Sequence, residues 1–446
     1  MFTLPEEVKD FMDNLNKKGY QIYVVGGAVR DLLLKNETSN WDFTTNATPD
    51  EVLKLYPNGF YNNQFGTVGI EIEINGNKNI FEVTTYRKEE NYTNLRHPSK
   101  IEWAKTLEED LARRDFTINA IAYDGEKITD PYSGQKHLKD KLITAVGDPD
   151  KRFNEDALRL IRAIRLASQL GFQIEEKTRE AIKKDAHLIK HISGERIRDE
   201  LFKILRSDNA AEGILFLKNT GLLKYILPEL DEAFLVGQKS PKRHHIYDVG
   251  THSIMSLKNS PSKDAITRLA ILLHDIGKVK AYRKDQTGLI TFYNHEVIGA
   301  KQVEQIADRL RLSNKQKEKL VTLIRHHQFS VTEMQTDKAV RRFIRDVGKE
   351  NVQDMLDLRV ADRSGSGATP TSWRLELFKK RIEEVQKEPF KVTDLKINGN
   401  DVMKILNLKP GPKIGETLNQ IFNEVIEGKL KNEREELLKK ILDLRF

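Results

Sequence analysis

A chain of 446 residues is too long for one hydrophobic core of ordinary size, and 38% hydrophobic with 32% charged residues describes several well-hydrated domains. The absence of cysteine excludes disulfides and thiolate metal sites, and no apolar run approaches the roughly 20 residues of a membrane span. A net charge of +7, from 74 Lys and Arg against 67 Asp and Glu, is compatible with a polyanionic partner but does not by itself select one. The opening MFTLPEEVKDFMDNL lacks the basic start and apolar middle of a secretory signal, so a cytoplasmic location is expected.

Residues 1–135 alternate short β-rich runs (YVVGG, WDFTT, TVGIEIEI, NIFEVTTY, FTINAIAYD) with turns and short amphipathic helices. The Asn-Gly-Asn-Lys between TVGIEIEI and NIFEVTTY predicts a hairpin. Gly26 and Gly27 end an apolar strand and open AVRDLLL, so backbone amides can approach a phosphate with no Cβ in the way; Arg30 and Asp31 begin that helix. Asp42 stands between Trp41 and Phe43 on a short strand, where a carboxylate without a partner is costly and wants a cation. Glu82, between Phe81 and Val83, is a second such acid on a strand that can lie beside the first. Strand carboxylates converging on Mg²⁺ are what two-metal phosphoryl transfer requires.

From about Lys136 the β-rich runs nearly vanish and apolar residues recur at helical spacing, as in DALRLIRAIRLASQL and IRDELFKILRS. Seams are predicted near Asp148-Pro149, at 236–241 and at 364–370, where Gly, Ser and Pro gather. A histidine-rich middle carries His244, His245, His252, His274-Asp275, His295-Glu296, His326-His327 and Asp362-Arg363. After Pro410-Gly411-Pro412 the pattern predicts one long, charged, amphipathic helical segment.

The runs GGAVRDLLL, WDFTT, FGTVGIEI, FEVTTYR, EEDLARRDFTINAIAYD, DPYSG, NEDALRLIRAIRLASQLGF and GERIRDELFKIL resemble, in order, the motifs of the class II tRNA nucleotidyltransferases. These are the CCA-adding enzymes and their bacterial poly(A) polymerase relatives, and the likeness covers the first ~205 residues. The fold class it implies is α+β: a small polymerase-beta-like nucleotidyltransferase head with a mixed or antiparallel sheet, then an elongated, mostly α-helical remainder. The expected divisions are a head (1–135), a neck (136–205), a body (206–375) and a tail (376–446).

The resemblance implies that Asp42 and Glu82 bind metal and that Arg113, Arg114 and Asp115, with Asn119 beside them, grip the ribose and phosphates. Glu155, Asp156 and Arg159 match the element that reads incoming bases, since Asp and Arg together can mimic a Watson–Crick edge. Asp156 and Arg159, three residues apart, are expected on one helix face, with Arg162 and Arg165 extending a basic stripe toward triphosphate or RNA end. The family has an aspartate where this chain has Asn40; an amide lends an oxygen to Mg²⁺ but no charge. A rate loss on the order of a hundredfold to a thousandfold is expected, with folding and nucleotide binding intact. The chain then reads as an inactivated form of a working enzyme or, alternatively, as a relative that only binds tRNA.

His-Asp at the end of an apolar helix, with an earlier His and a much later Asp, resembles the HD phosphohydrolases. His252, His274, Asp275 and Asp362 are expected to close one site for Mn²⁺, Ni²⁺, Fe²⁺ or Mg²⁺. The tail is also similar to the family's closing segment, with Lys404, Lys409, Lys413, Lys429 and Lys431 as phosphate contacts. The expected function is untemplated addition of C, C and A to tRNA 3′ ends, with ATP and CTP as substrates and Mg²⁺ as cofactor. The run from Arg87 to Pro98 matches a flexible segment that CC-only members lack, which leaves A-only addition as the nearer variant. An HD-type hydrolase of tRNA ends with a non-catalytic head is the reading from another enzyme class. No membrane partner is expected, and the pattern sets no oligomeric state.

Overall fold

The amino-terminal helix α1 (Glu6–Lys17) places Val8, Phe11, Met12 and Leu15 on one buried stripe at helical spacing. A computed structural model of the protein describes residues 4–38, 40–63, 66–74, 76–93, 97–238, 247–386 and 392–444. The stripe packs on a sheet built from β1 (Ile22–Val25), β2 (Trp41–Thr45), β3 (Phe60–Asn63), β4 (Thr67–Ile74) and β5 (Asn77–Thr85). Next come the pair β6 (Arg87–Thr93) and β7 (His97–Trp103), then β8 (Ala122–Tyr123) and β9 (Ile128–Thr129). Among the described residues seven of these form one mixed sheet in the order β3-β4-β5-β2-β1-β8-β9. The expected mixed head sheet is therefore present.

Period-two alternation decides what each face of that sheet carries. Trp41, Phe43, Phe81 and Val83 are buried, and the rings of Phe43 and Phe81 lie 5.0 and 5.1 Å from that of Phe11. Asp42 and Glu82, one residue out of phase, must point to the opposite face. The β4–β5 ladder runs to Ile74↔Asn77, so the hairpin closes over two residues rather than the four read from sequence. The described residues of the Arg87–Pro98 run form β6 and the start of β7, which pair antiparallel.

The connecting helices are α2 (Gly27–Leu33), α3 (Pro49–Leu55) and α4 (Leu107–Ala112) in the head. Beyond it lie α5 (Gly134–Lys139), α6 (Pro149–Glu155), α7 (Leu158–Leu170), α8 (Glu176–Asp185) and α9 (Gly194–Arg206). Thr48 caps α3 in a reciprocal capping box with Glu51, and Asp148 caps α6. Helices α6 and α7 are separate: Asp156, at φ −138° and ψ 106°, is extended, and its Oδ1 accepts from the Leu158 backbone N–H at 3.0 Å. The expected single helix face for Asp156 and Arg159 is thus broken, because the aspartate side chain takes the backbone donor that begins the new helix.

The chain divides into two compact units, Met1–Glu232 with Ile306–Leu312, and Ala233–Gln305 with Ser313–Phe446. The second is mostly helical, including helices 249–258, 265–273, 314–326 and 352–365. The last of these runs through Gly365, so the predicted seam at 364–370 begins only after it. His244, His245 and residues 239–241 of the 236–241 seam lie outside the described residues. In the tail the predicted long helix is two, 412–426 and 434–443, parted at Gly428, where φ is +70°. Leu395, just before the tail's first helix, packs with Val402, Ile421, Val425, Leu437 and Ile441 from the tail's successive helices.

Candidate functional site

Asp42 and Glu82 are direct register partners on the parallel strands β2 and β5, and Asp42 also faces Val25 at the end of β1. Gly26 follows with φ +71°, and a Cβ there would stand 3.3 Å from Nη1 of Arg114 and 3.5 Å from Oδ2 of Asp42. Only glycine suits both the left-handed backbone and this close floor. Burial pushes the Asp42 carboxyl up; the Arg114 guanidinium opposes this, the Glu82 charge adds to it and Arg30 opposes, and the net direction is upward. Two carboxylates so placed repel each other, and a bound cation relieves both the repulsion and the desolvation. The donor set therefore fits Mg²⁺, a hard ion that takes oxygen ligands. Asn40 precedes β2, two residues from Asp42, and is exposed.

The arginines around this floor are held by an acid that the sequence reading did not single out. Asp110 in α4 is fully buried; its Oδ1 accepts from Nε and Nη2 of Arg113 at 2.9 and 2.7 Å, and its Oδ2 from Nη2 of Arg114 at 3.2 Å and Thr44 Oγ1 at 3.1 Å. Burial would raise its pKa, yet Arg113, Arg114 and the Thr44 hydroxyl outweigh that and hold it below the usual carboxylate range. Its only sequence signal was position, an acid three residues before the first of two adjacent arginines.

Arg30 pairs bidentately with Asp31 and donates from Nη1 to Asn119 Oδ1 at 2.9 Å. Asn119 reaches Asp115, whose Oδ2 lies 2.7 Å from Nη2 of Arg162. Burial again pushes the Asp115 carboxyl up, and Arg162, Arg159, Arg165 and the Phe116 backbone N–H bring it below its ordinary value. Glu155 spans Arg152 at 2.6 Å and Arg159 at 2.7 Å. Arg159 also donates to the carbonyl of Arg113 at 2.9 Å, which ties α7 to the head. Asp156 lies 3.3 Å from Arg196, and Arg165 lies 2.9 Å from Glu200, two partners on α9 absent from the sequence reading. The predicted basic stripe is thus an alternation of arginines and acids.

In the second unit His252, His274, Asp275 and Asp362 come together. Nε2 of His252 is 3.2 Å from Asp362 Oδ1, and Nε2 of His274 is 3.3 Å from Asp275 Oδ2. His295 and His327, which the sequence reading left out of the ligand set, face the same aspartate. Lys404, Lys409, Lys413, Lys429 and Lys431 are all exposed on the tail, and Lys429 pairs with Glu427 at 2.7 Å.

A mixed sheet that pairs two strand carboxylates over a glycine floor, backed by arginine-rich helices, defines the nucleotidyltransferase class. Comparison with known proteins agrees: residues 22–144 match the poly A polymerase head domain, 171–234 a model described as "Probable RNA and SrmB- binding site of polymerase A", and 283–441 the tRNA nucleotidyltransferase domain 2. The CCA-adding enzyme of Staphylococcus saprophyticus is 31% identical over 441 residues, covering 98% of each chain, and that of Lactococcus lactis subsp. cremoris is 30% identical over 99% of this chain and 98% of its own. Similarity to the Geobacillus sp. CCA-adding enzyme reaches 45% over 217 residues, 48% of this chain and 53% of that one. Among solved structures, the Bacillus stearothermophilus CCA-adding enzyme in complex with CTP superposes with a TM-score of 0.72 at 27% identity, covering 98% of this chain and 97% of that one. The chain belongs to the family of CCA-adding enzymes.

No helix among the described residues is long and apolar enough to cross a membrane.

Proposed function

We propose that this protein extends tRNA 3′ ends by untemplated addition of C, C and A from CTP and ATP. The observation that carries the reading is the register pair Asp42↔Glu82 beside Gly26 and Arg114. Asp42 and Glu82, with the amide oxygen of Asn40, would hold Mg²⁺, which when bound activates the attacking 3′-hydroxyl and offsets charge on the triphosphate. Gly26 leaves the floor open to phosphate oxygens, and Arg114 and Arg30 supply positive charge there. The Asp115 carboxylate, ionised by its arginine neighbours, accepts from a ribose hydroxyl and favours ribonucleotides. Asp156 and Arg159 select the base by offering an acceptor and donors to its edge. Because Asp156 sits in a break between helices, that edge is set by Arg196 and Glu155 and not by helix geometry. The exposed tail lysines hold the tRNA backbone without reading sequence.

Asn40 weakens this site, as it brings no charge to the ion. Restoring the acid by Asn40→Asp is expected to raise incorporation of labelled CTP and ATP by about a hundredfold to a thousandfold. tRNAs lacking the whole CCA, its last two nucleotides or only the final A should all be extended. An unchanged rate in the substituted protein would overturn the assignment of this position to the metal site. Extension of only the substrate lacking the final A would reduce the activity to A addition.

A further inference from the structure

One register row crosses the head sheet from β8 to β3: Ala122, Val25, Asp42, Glu82, Gly69 and Phe60 are successive partners, so all six look toward the same side of the sheet. The row changes character along its length. Ala122 and Val25 are buried with Leu107 and Leu111 of α4, the helix that leads into Arg113 and Arg114. Asp42 and Glu82 follow, and beyond Glu82 the row is uncharged and ends in a glycine and an aromatic ring. Charge suited to phosphate thus stands on the Asp42 side of the two acids, and an apolar shelf stands on the Glu82 side.

The ring of Phe60 reaches across β4. A Cβ on Gly69 would stand 2.5 Å from its Cζ, 2.8 Å from Cε2 and 3.0 Å from Cε1, so any larger residue there would lift the ring off the strand. Gly69 lies within β4 and does not have positive φ, which leaves the approach of the ring, and not a turn, as the reason for a glycine. Phe60 is nonetheless 46% exposed, and Ile80, on the same face two residues before Glu82, is 49% exposed. The register of β3 on β4 shifts between Tyr61 and Asn63, just after the ring. Irregularities of this kind re-aim side chains beside active sites. An aromatic opposite a strand glycine also steadies the sheet, but the contact with Gly69 meets that role and leaves the open part of the ring unused. Neighbouring strands lie about 4.8 Å apart, so a ring tip over Gly69 stands about one strand from Glu82, a span like that between a base and its own ribose.

We propose that Phe60 is the platform on which the unpaired 3′-terminal base of the RNA stacks, with Ile80 beside it, so that the hydroxyl of that nucleotide meets the Asp42–Glu82 pair from the side opposite Gly26 and Arg114. This rests on the reading of the head given above and adds the place of the second substrate. Single-stranded RNA ends are held by stacking on aromatic side chains, and the contact tolerates any base because every base has a π-face. That tolerance is what the reaction needs, since the terminal base changes with each nucleotide added. Hydrogen-bond readout at the terminus would have to be rebuilt at every step, whereas an aromatic face serves all of them. Choice of base is left to Asp156 and Arg159, on the side of the incoming nucleotide.

The test uses the full chain and a tRNA lacking CCA whose last nucleotide is 2-aminopurine, a base whose fluorescence falls when it stacks. With protein in excess and no CTP or ATP, emission should be about threefold lower in complex with the parent than with Phe60→Leu, which keeps apolar bulk but has no ring. Phe60→Tyr should restore the low emission, and Gly69→Ala, which lifts the ring, should fall between. In the Asn40→Asp background, Phe60→Leu should lower kcat/KM for the tRNA by about tenfold with KM for CTP unchanged, and Phe60→Tyr should stay within about twofold of the parent. A ring that served the sheet alone would instead shift thermal unfolding and KM for CTP, with emission equal in parent and Phe60→Leu, and that result would overturn the platform. Ring-dependent emission with equal rates would overturn the delivery of the hydroxyl. If no form incorporates nucleotide while emission still depends on the ring, the reading of the head fails and the stacking site stands; equal emission with normal incorporation fails the platform alone.

Discussion

Asp42 and Glu82 meet because two neighbouring strands carry them at the same register level, whereas His252, His274, Asp275, His295, His327 and Asp362 meet although they are spread over more than a hundred residues on five segments. The strand site is nearly implied by its surroundings: once Trp41, Phe43 and Phe81 go to the core, the acids between them have one face left. In the helical site no local rule ties one ligand to the next. It exists only because the helix packing, including the approach of the His295 carbonyl to Gly277, closes around it. Sheet register thus fixes a site cheaply and legibly, while a helical centre depends on many separate contacts.

If the head arginines depend on one buried acid, removing it should produce the largest effect. Asp110→Ala leaves Arg113 and Arg114 without their shared partner and should cost about 3–5 kcal/mol in chemical denaturation of the first unit. The same group sets an acid limit. Its folded pKa lies below its unfolded value, so its contribution is present above the unfolded pKa and is lost as pH falls through the folded one. Stability of the parent should therefore hold above the ordinary carboxylate range and fall progressively from that range down through the folded pKa, and Asp110→Asn should flatten that fall. A parent whose stability already drops near neutral pH would contradict this.

Chemistry at the register pair comes next in size. In the Asn40→Asp background, Asp42→Ala should lower nucleotide incorporation by about a hundredfold to a thousandfold, while Mn²⁺ retention by the His-Asp cluster of the second unit stays the same. A parallel loss of both would erase the distinction between the two sites. A smaller effect is expected at the helix break: Arg196→Ala frees the Asp156 carboxylate and should reduce discrimination between CTP and ATP by about tenfold, read as the ratio of their kcat/KM values. Equal discrimination would mean that Asp156 needs no positioning by α9. Smallest of all, Lys409→Ala with Lys413→Ala should weaken tRNA binding modestly and reduce the slope of log Kd against log salt by about two. An unaltered slope would remove these lysines from the RNA contact.

Much of the head was legible because strand alternation is local. Asp42, Glu82 and Gly26 could be singled out from their strand and turn context and the arginine pair at 113–114 from the family resemblance, and the structure brings Asp42 and Arg114 against Gly26. Asp110 was not legible, since an acid on a short helix reads as surface until its burial is known. The face shared by Asp156 and Arg159 was misread because i, i+3 spacing assumes an unbroken helix, whereas Asp156 is extended at the end of α6 and its side chain accepts from the Leu158 backbone N–H. The tail was read as one helix because its charge pattern runs on past Gly428, where the backbone turns left-handed.

By itself the sequence determined which residues alternate, which glycines leave backbone uncovered and which charges are available, since these depend on neighbours a few residues away. Tertiary structure alone decided who pairs with whom: Asp110 with two arginines, Asp156 with Arg196, and one aspartate oxygen with each pair of histidines. The reason is physical. Register and periodicity act over a few ångströms along the chain, whereas ion pairing and metal ligation act between segments whose meeting is fixed only when the apolar core has closed.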